Sequence, residues 1–225
     1  MRSEDPLPPS PKGSVLEVVI SAVGTTYRRL AADQAVFLAA TAERGLPLRC
    51  PPGCGGCCEP FVPDALPAEA AFAAAWILAR DPGLGREVRA WRPGEVPTTP
   101  PCPFLRRTKD GRRCAIYPAR FLICRLFGVS AVRDKRGSAE FRPCAHMPFA
   151  GEQTRGRGRS VLSGAGLSRA FGSAPPQMAD YAAELVGLSP SEAGERKSIL
   201  EAMPSAVARV GLGLSLAAGG GSGIL

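Results

Sequence analysis

Cys50-Pro-Pro-Gly-Cys54-Gly-Gly-Cys57-Cys58 places four thiols within nine residues, and Cys102, Cys114, Cys124 and Cys144 follow within the next ninety. Thiolates are strong ligands for zinc and for iron-sulfur clusters, and two cysteines separated by two residues reach one metal from a single tight turn. Cys54-Gly-Gly-Cys57 has that spacing. Its glycines let the backbone fold close around an ion and aim N–H groups at sulfur. The four later cysteines lie far along the chain, so it must fold back to gather them, which couples metal binding to folding.

An even cysteine count also fits a disulfide framework. Against it, the N-terminus Met1-Arg-Ser-Glu-Asp-Pro-Leu-Pro-Pro-Ser shows no charged region followed by an apolar core, as export requires. A chain of 225 residues can bury a core without covalent staples. Adjacent Cys57 and Cys58 could pair with each other only in a strained vicinal ring. The compartment and the spacing favour metal over disulfides or buried free thiols.

Zinc and iron-sulfur both remain open. Eight cysteines allow two closed tetrahedral zinc sites of four thiolates each; a four-iron cluster needs only four, leaving the others for a second site or redox partnership. The neighbouring side chains of Cys57 and Cys58 diverge, so one can serve each of two sites. The single histidine, His146, follows Cys144 by two residues and is read as a structural side chain, since eight thiolates are at hand. Tyr117, Arg120 and Arg125 stand among the later cysteines, where arginines can offset thiolate charge and donate to sulfur; solvated helix charges are the plainer alternative. One histidine precludes more than one serine–histidine–aspartate set, and neither a phosphate loop nor paired carboxylates stand out.

The formal charge of +8 counts every thiol as neutral. Two zinc ions on eight thiolates bring it to about +4, and one doubly positive four-iron cluster on four thiolates to about +6. Neither value calls for nucleic acid as a partner. The apolar runs Ala70–Ala79 and Val210–Ala218 are too short or too broken by glycine to cross a bilayer. The expectation is a soluble cytoplasmic protein of bacterial type, with no membrane partner.

The elements that must position the cysteines follow from the apolar periodicity. Residues 1–13 carry four prolines and read as a disordered lead-in. Ser14 to Glu43 repeats apolar residues at helical spacing, with Ser14 as N-cap, Glu17 three residues on and a kink at Gly24; Gly45 and Pro47 stop it. Pro67 to Arg80 is an alanine-rich helix, Leu84 to Trp91 a shorter one, and Phe72, Trp76 and Trp91 are core residues. Pro93 to Pro103 is an extended connector that delivers Cys102. Tyr117 to Phe127 reads as a helix carrying Cys124, and Val129–Arg133 with Ser138–Arg142 as a hairpin ending at Cys144. Residues 151–225 begin with a basic linker containing Arg155-Gly-Arg-Gly-Arg159 and continue with helices over Pro176–Leu188 and Ser191–Met203 and a disordered glycine end. The fold class is therefore α+β, mainly α-helical, with an irregular domain over residues 14–150 folded around a cysteine-ligated centre.

The motifs Cys50-x3-Cys54-x2-Cys57-Cys58, Cys102-Pro-Phe-Leu105, Cys114-Ala-Ile-Tyr117-Pro-Ala-Arg120, Cys124-Arg-Leu-Phe-Gly128 and a late Cys144 resemble the YkgJ-type cysteine-cluster family, described as zinc- or iron-chelating. The resemblance spans roughly residues 46–148 and departs at Phe121, where the family's usual Arg-Pro would place proline. It implies a metal or iron-sulfur site built from Cys50, Cys54, Cys57, Cys58, Cys102, Cys114, Cys124 and Cys144, and no known reaction. Flagellin lysine N-methylases are similar in their cysteine cluster, which implies that some relatives methylate lysine with S-adenosylmethionine. This chain is short for that activity and lacks a glycine-rich strand-to-helix cofactor loop. Three functions follow as expectations: a metal-binding protein; a methyl-transfer or redox enzyme; and a zinc-stabilised nucleic-acid module.

Overall fold

The computed structural model describes residues 7–46, 48–51, 54–92, 99–144, 146–147, 162–163, 165–188 and 195–219. Helix α1 (Val15–Glu43) starts where Ser14 Oγ accepts the Glu17 amide at 3.3 Å, while Glu17 Oε2 accepts the Gly13 amide at 2.7 Å. This reciprocal cap satisfies amides that the first turn cannot pair. The helix ends at Gly45, whose φ of +73° lets the Leu46 amide return to the Thr41 carbonyl at 2.9 Å. Gly24 does not interrupt it. A Cβ there would lie 2.1 Å from Leu7 Cδ2 and 3.2 Å from Phe72 Cε2, so the glycine serves close packing instead of a kink. Leu7 thus covers α1 from within the segment expected as a lead-in.

Helices α2 (Pro67–Arg80) and α3 (Pro82–Arg89) follow. Asp81 caps α3 by accepting the Leu84 amide at 2.9 Å. In α2, Ala68, Ala70, Ala71, Ala73, Ala74 and Ala75 are all buried, because small side chains let neighbours approach on every side. The neighbours are α1 and the last helix, α7 (Ile199–Gly219). The sequence places the final helix over Ser191–Met203; it instead begins at Ile199 and continues through Pro204 to Gly219. Continuity makes its 21 residues, with a mean hydropathy of 1.3, long and apolar enough to cross a membrane, which its shorter apolar run alone is not. Ile199, Met203, Ala206, Val207 and Val210 are buried in the core.

The sheets are small. Strand β1 (Asp64–Ala65) pairs antiparallel with β7 (Lys197–Ser198), tying α2 to α7. Strands β2 (Leu105–Thr108) and β3 (Gly111–Cys114) form a hairpin around Lys109 and Asp110, with Gly111 at φ +123°. This hairpin is absent from the sequence reading, although Asp110-Gly111 is a turn signal. Strands β4 (Val132–Arg133) and β5 (Ala139–Phe141) realise the hairpin read from the sequence, and β6 (Leu162–Ser163) adds a third strand. Its turn is held by Asp134 Oδ1, which accepts the Arg136 and Ser138 amides at 2.8 Å. Helix α5 (Ala165–Phe171) packs Phe171 against Phe37 and Phe141, with centroids 5.4 to 5.7 Å apart, forming a second core at the far end of α1.

The helix read over Tyr117–Phe127 divides into a 3₁₀ turn (Tyr117–Ala119) and α4 (Leu122–Leu126), because Arg120 and Phe121 are extended, with ψ near 150° and 161°. Phe121 stands as N-cap of α4, buried beside Phe104. Its φ of −64° is one that proline would share. Helix α6 (Met178–Gly187) packs on α1, where Tyr181 donates to Asp33 and Thr26 Oγ1 donates to Glu184 at 2.8 Å. The molecule is α+β and mainly helical. Arg155–Arg159 and Gly220–Gly223 lie outside the described residues.

Candidate metal centre

Residues 54–58 form a tight loop in which the Cys58 amide donates to the Gly55 carbonyl at 2.9 Å. Gly55 has φ +53°, and a Cβ there would meet Arg112 Cβ at 2.7 Å, so the loop lies directly on β3. Glu59, next after the paired cysteines, accepts Arg112 at 2.8 Å and Arg107 at 3.0 Å, pinning the loop to both strands of the hairpin. These pairs hold Glu59 below the usual carboxylate range, chiefly through the Arg112 hydrogen bond.

The same hairpin brings two more thiols. The Cys102 amide donates to the Cys58 carbonyl at 2.9 Å, and Cys114 closes β3 opposite Leu105. Cys124 arrives on α4, whose position is set by buried polar groups. Glu69, 1% exposed, accepts the first α4 amide, Leu122 N, at 2.6 Å and the Tyr27 hydroxyl at 3.0 Å through Oε1. Its Oε2 accepts Leu66 N at 3.0 Å. Arg125 lies 3.9 Å over the Tyr27 ring and donates to the Pro118 carbonyl at 2.6 Å. Burial lowers Arg125 to about 10, which leaves it charged at neutral pH, and burial followed by Glu69 raises the Tyr27 hydroxyl. The sequence lists Arg125 beside the thiolates and gives no role to Glu69; the structure uses both to seat the Cys124 helix.

Two groupings result. Cys58, Cys102, Cys114 and Cys124 each feel the charge of Cys57, and Cys102 and Cys114 also act on each of Cys58 and Cys124. Cys50 has Cys54, Cys57 and Cys144 as neighbours and shares a hydrogen bond with Cys54. Cys144 enters through Gly128, at φ +75°, where a Cβ would meet Cys144 Cβ at 2.9 Å. Cys57 belongs to both sets, and its Sγ is 3.9 Å from Cys58 Sγ. All eight cysteines are free thiols, from exposed Cys50 to buried Cys102. Among the described residues, no three cysteine, histidine or carboxylate side chains converge tightly enough to enclose one ion.

Ionisation separates the thiols. The hydrogen bond between Cys57 and Cys58, in which either thiol can donate, lowers Cys57 to about 6 and raises Cys58 strongly. Burial pushes Cys50 and Cys114 up to about 11 and raises Cys102 and Cys124. Thiolates this close and this poorly solvated ionise together only beside compensating positive charge. Arg120 supplies part of it, lowering Cys57, Cys114 and Cys124 while stacked 3.9 Å over Tyr117. Its buried Nε has no hydrogen-bond partner among the described residues. The all-cysteine donor set, with Arg120 offsetting its charge, fits zinc or an iron-sulfur cluster.

Residues 49–145 match the family model described as "CxxCxxCC: Putative zinc- or iron-chelating domain", a little under half of the chain. No curated protein and no solved structure shows significant similarity to it.

Proposed function

We propose that this protein binds metal through its cysteine cluster, as zinc or as an iron-sulfur cluster, a reading supported by the match of residues 49–145 to the CxxCxxCC family model. The observation that carries this reading is the grouping of Cys58, Cys102, Cys114 and Cys124 around Cys57 from four separate parts of the chain. Thiols with mutually unfavourable ionisation gain most from a soft, multiply charged partner.

Cys57 or Cys58 with Cys102, Cys114 and Cys124 would hold one centre, and Cys50, Cys54 and Cys144 would contribute to another. Bound zinc would lock the loops against the hairpin; a bound iron-sulfur cluster would supply one-electron chemistry. The chain's own residues seat the ligands. Glu59 clamps the loop, Glu69 fixes the start of α4, and Arg120 offers compensating charge.

The test is anaerobic purification of the full chain, with metal and acid-labile sulfide measured per chain beside a visible spectrum. Zinc without sulfide, or iron with sulfide and absorption from thiolate-bound iron, supports the reading. A protein that takes up neither zinc nor iron while its eight thiols remain titratable overturns it.

A further inference from the structure

His146 lies outside the matched segment and is the single histidine of the chain. The structure turns it towards the cysteine loop. A Cβ on Gly56 would meet His146 Cδ2 at 2.6 Å, His146 Nε2 at 2.7 Å and Cys54 Sγ at 3.2 Å, so the Nε2 edge of the imidazole and the Cys54 thiol face one point at Gly56. Two features deliver it there. The Met147 amide returns to the Cys144 carbonyl at 3.1 Å, placing Cys144 and His146 on one turn. Gly128 lets that turn press against the end of α4, with Met147 Cε 2.9 Å from the position of its missing Cβ.

We propose that His146 is a metal donor through Nε2 and completes an outer site with Cys50, Cys54 and Cys144. The inner site is then left to Cys102, Cys114 and Cys124 with one of the adjacent pair Cys57 and Cys58. This departs from the sequence reading of His146 as a structural side chain. Neutral imidazole and thiolate together suit zinc, and three thiolates with one imidazole form a closed tetrahedral set. The assignment also resolves the paired cysteines: with histidine as the fourth outer donor, one of Cys57 and Cys58 suffices for the inner site, and the other is free to donate its S–H to the ligating sulfur, the relation already present between them. A side chain at Gly56 would stand where the imidazole edge lies and displace it.

The inference rests on the metal-binding reading, and the experiment separates the two. Cobalt(II) is titrated anaerobically into the metal-free full chain, wild type and His146→Ala, following the ligand-field bands and the bound stoichiometry. Wild type should take up two ions, one in an all-sulfur environment and one in a mixed sulfur–nitrogen environment. His146→Ala should keep the all-sulfur ion and bind the second at least tenfold more weakly, on the order of what loss of a ligand or its support costs. Nitrogen-15-labelled histidine gives a readout independent of affinity: zinc should shift Nε2 to a metal-bound resonance, and should still do so in Cys124→Ser. Two ions bound by His146→Ala with unchanged affinity and spectrum, or an Nε2 resonance that zinc leaves unmoved, overturns the histidine assignment alone. A wild-type chain that binds neither cobalt nor, on anaerobic reconstitution, iron with sulfide overturns the metal-binding reading and this assignment with it.

Discussion

Cys57 Sγ lies 3.9 Å from Cys58 Sγ, a thiol–thiol contact in which either can donate, and this contact lowers Cys57 while it raises Cys58. In the metal-free chain, alkylation at Cys57 should rise through a midpoint near 6, while Cys50 and Cys114 wait until about 11. Mass spectrometry of peptides alkylated across that range checks the order. Cys58→Ala should move the Cys57 midpoint upwards, since the hydrogen-bond partner is gone; an unchanged midpoint would show that Arg120 and the backbone amides govern it.

The same values set a pH dependence for the metal-free fold. Cys57 sits below the ordinary 9.0, so its contribution is present above that value and disappears as pH falls through about 6. Cys50 and Cys114 sit above 9.0, so theirs is present below it and disappears as pH rises through about 11. Urea midpoints of the metal-free chain should therefore fall between pH 9 and 11, and metal should abolish that fall by holding the thiolates. An alkaline decline that persists with metal bound would place it elsewhere.

Glu69→Ala should be among the more damaging single changes outside the cysteines. It orphans Leu122 N, Leu66 N and the Tyr27 hydroxyl at once, and hydrogen bonds to a buried charge are worth about 1.5–3 kcal/mol each before relaxation. We expect a loss of roughly 3–5 kcal/mol by urea denaturation, a range set by breaking such a buried network. Glu69→Gln, which keeps the acceptor oxygen towards Leu122, should lose less. Because the same carboxylate seats α4, metal affinity should fall with stability in the Ala variant.

Gly55 and Gly56 should separate backbone strain from side-chain displacement. Gly55→Ala forces a left-handed residue, costing about 1–2 kcal/mol, and drives its Cβ into Arg112 Cβ. Gly56→Ala meets only the exposed end of His146 and Cys54 Sγ, which can yield. Thermal unfolding should show the first variant clearly destabilised and the second little changed, with the histidine resonance displaced in the second.

Chelation should unfasten the cysteine region and spare the helical core. Phe72, the α2 alanines, Ile77, Met203 and Val207 belong to the buried core of α1, α2 and α7, against whose edge Cys58, Cys114 and Cys124 pack. Far-ultraviolet circular dichroism should retain most of its helical signal after metal removal or in Cys124→Ser, while amide exchange rises at residues 54–58 and 111–126. Loss of the whole helical signal would show that metal and core fold as one unit.

Local chemistry made much of this readable from the chain. The cap at Ser14, the proline opening α2 and the Asp134-Gly137 turn act over a few residues, and α1, α2 and the β4–β5 hairpin stand where those signals place them. The missed β2–β3 hairpin was also local, marked by Asp110-Gly111, but arginine-rich strands carry no apolar alternation to announce it. Helix α7 ran past its expected end because Ala206, Val207 and Val210, beyond Pro204, are buried in the core.

Spacing alone determined the donor type and the close grouping of Cys54, Cys57 and Cys58, since a two-residue loop with glycine leaves a thiol pair few other geometries. Which distant thiols are neighbours, and where His146 lies, only the tertiary structure decided. Those relations depend on Glu69 holding the start of α4, on Gly128 admitting Cys144 and on Gly56 leaving room for an imidazole. Each is a contact between residues far apart in the chain, fixed by how the helices pack and invisible to any local pattern.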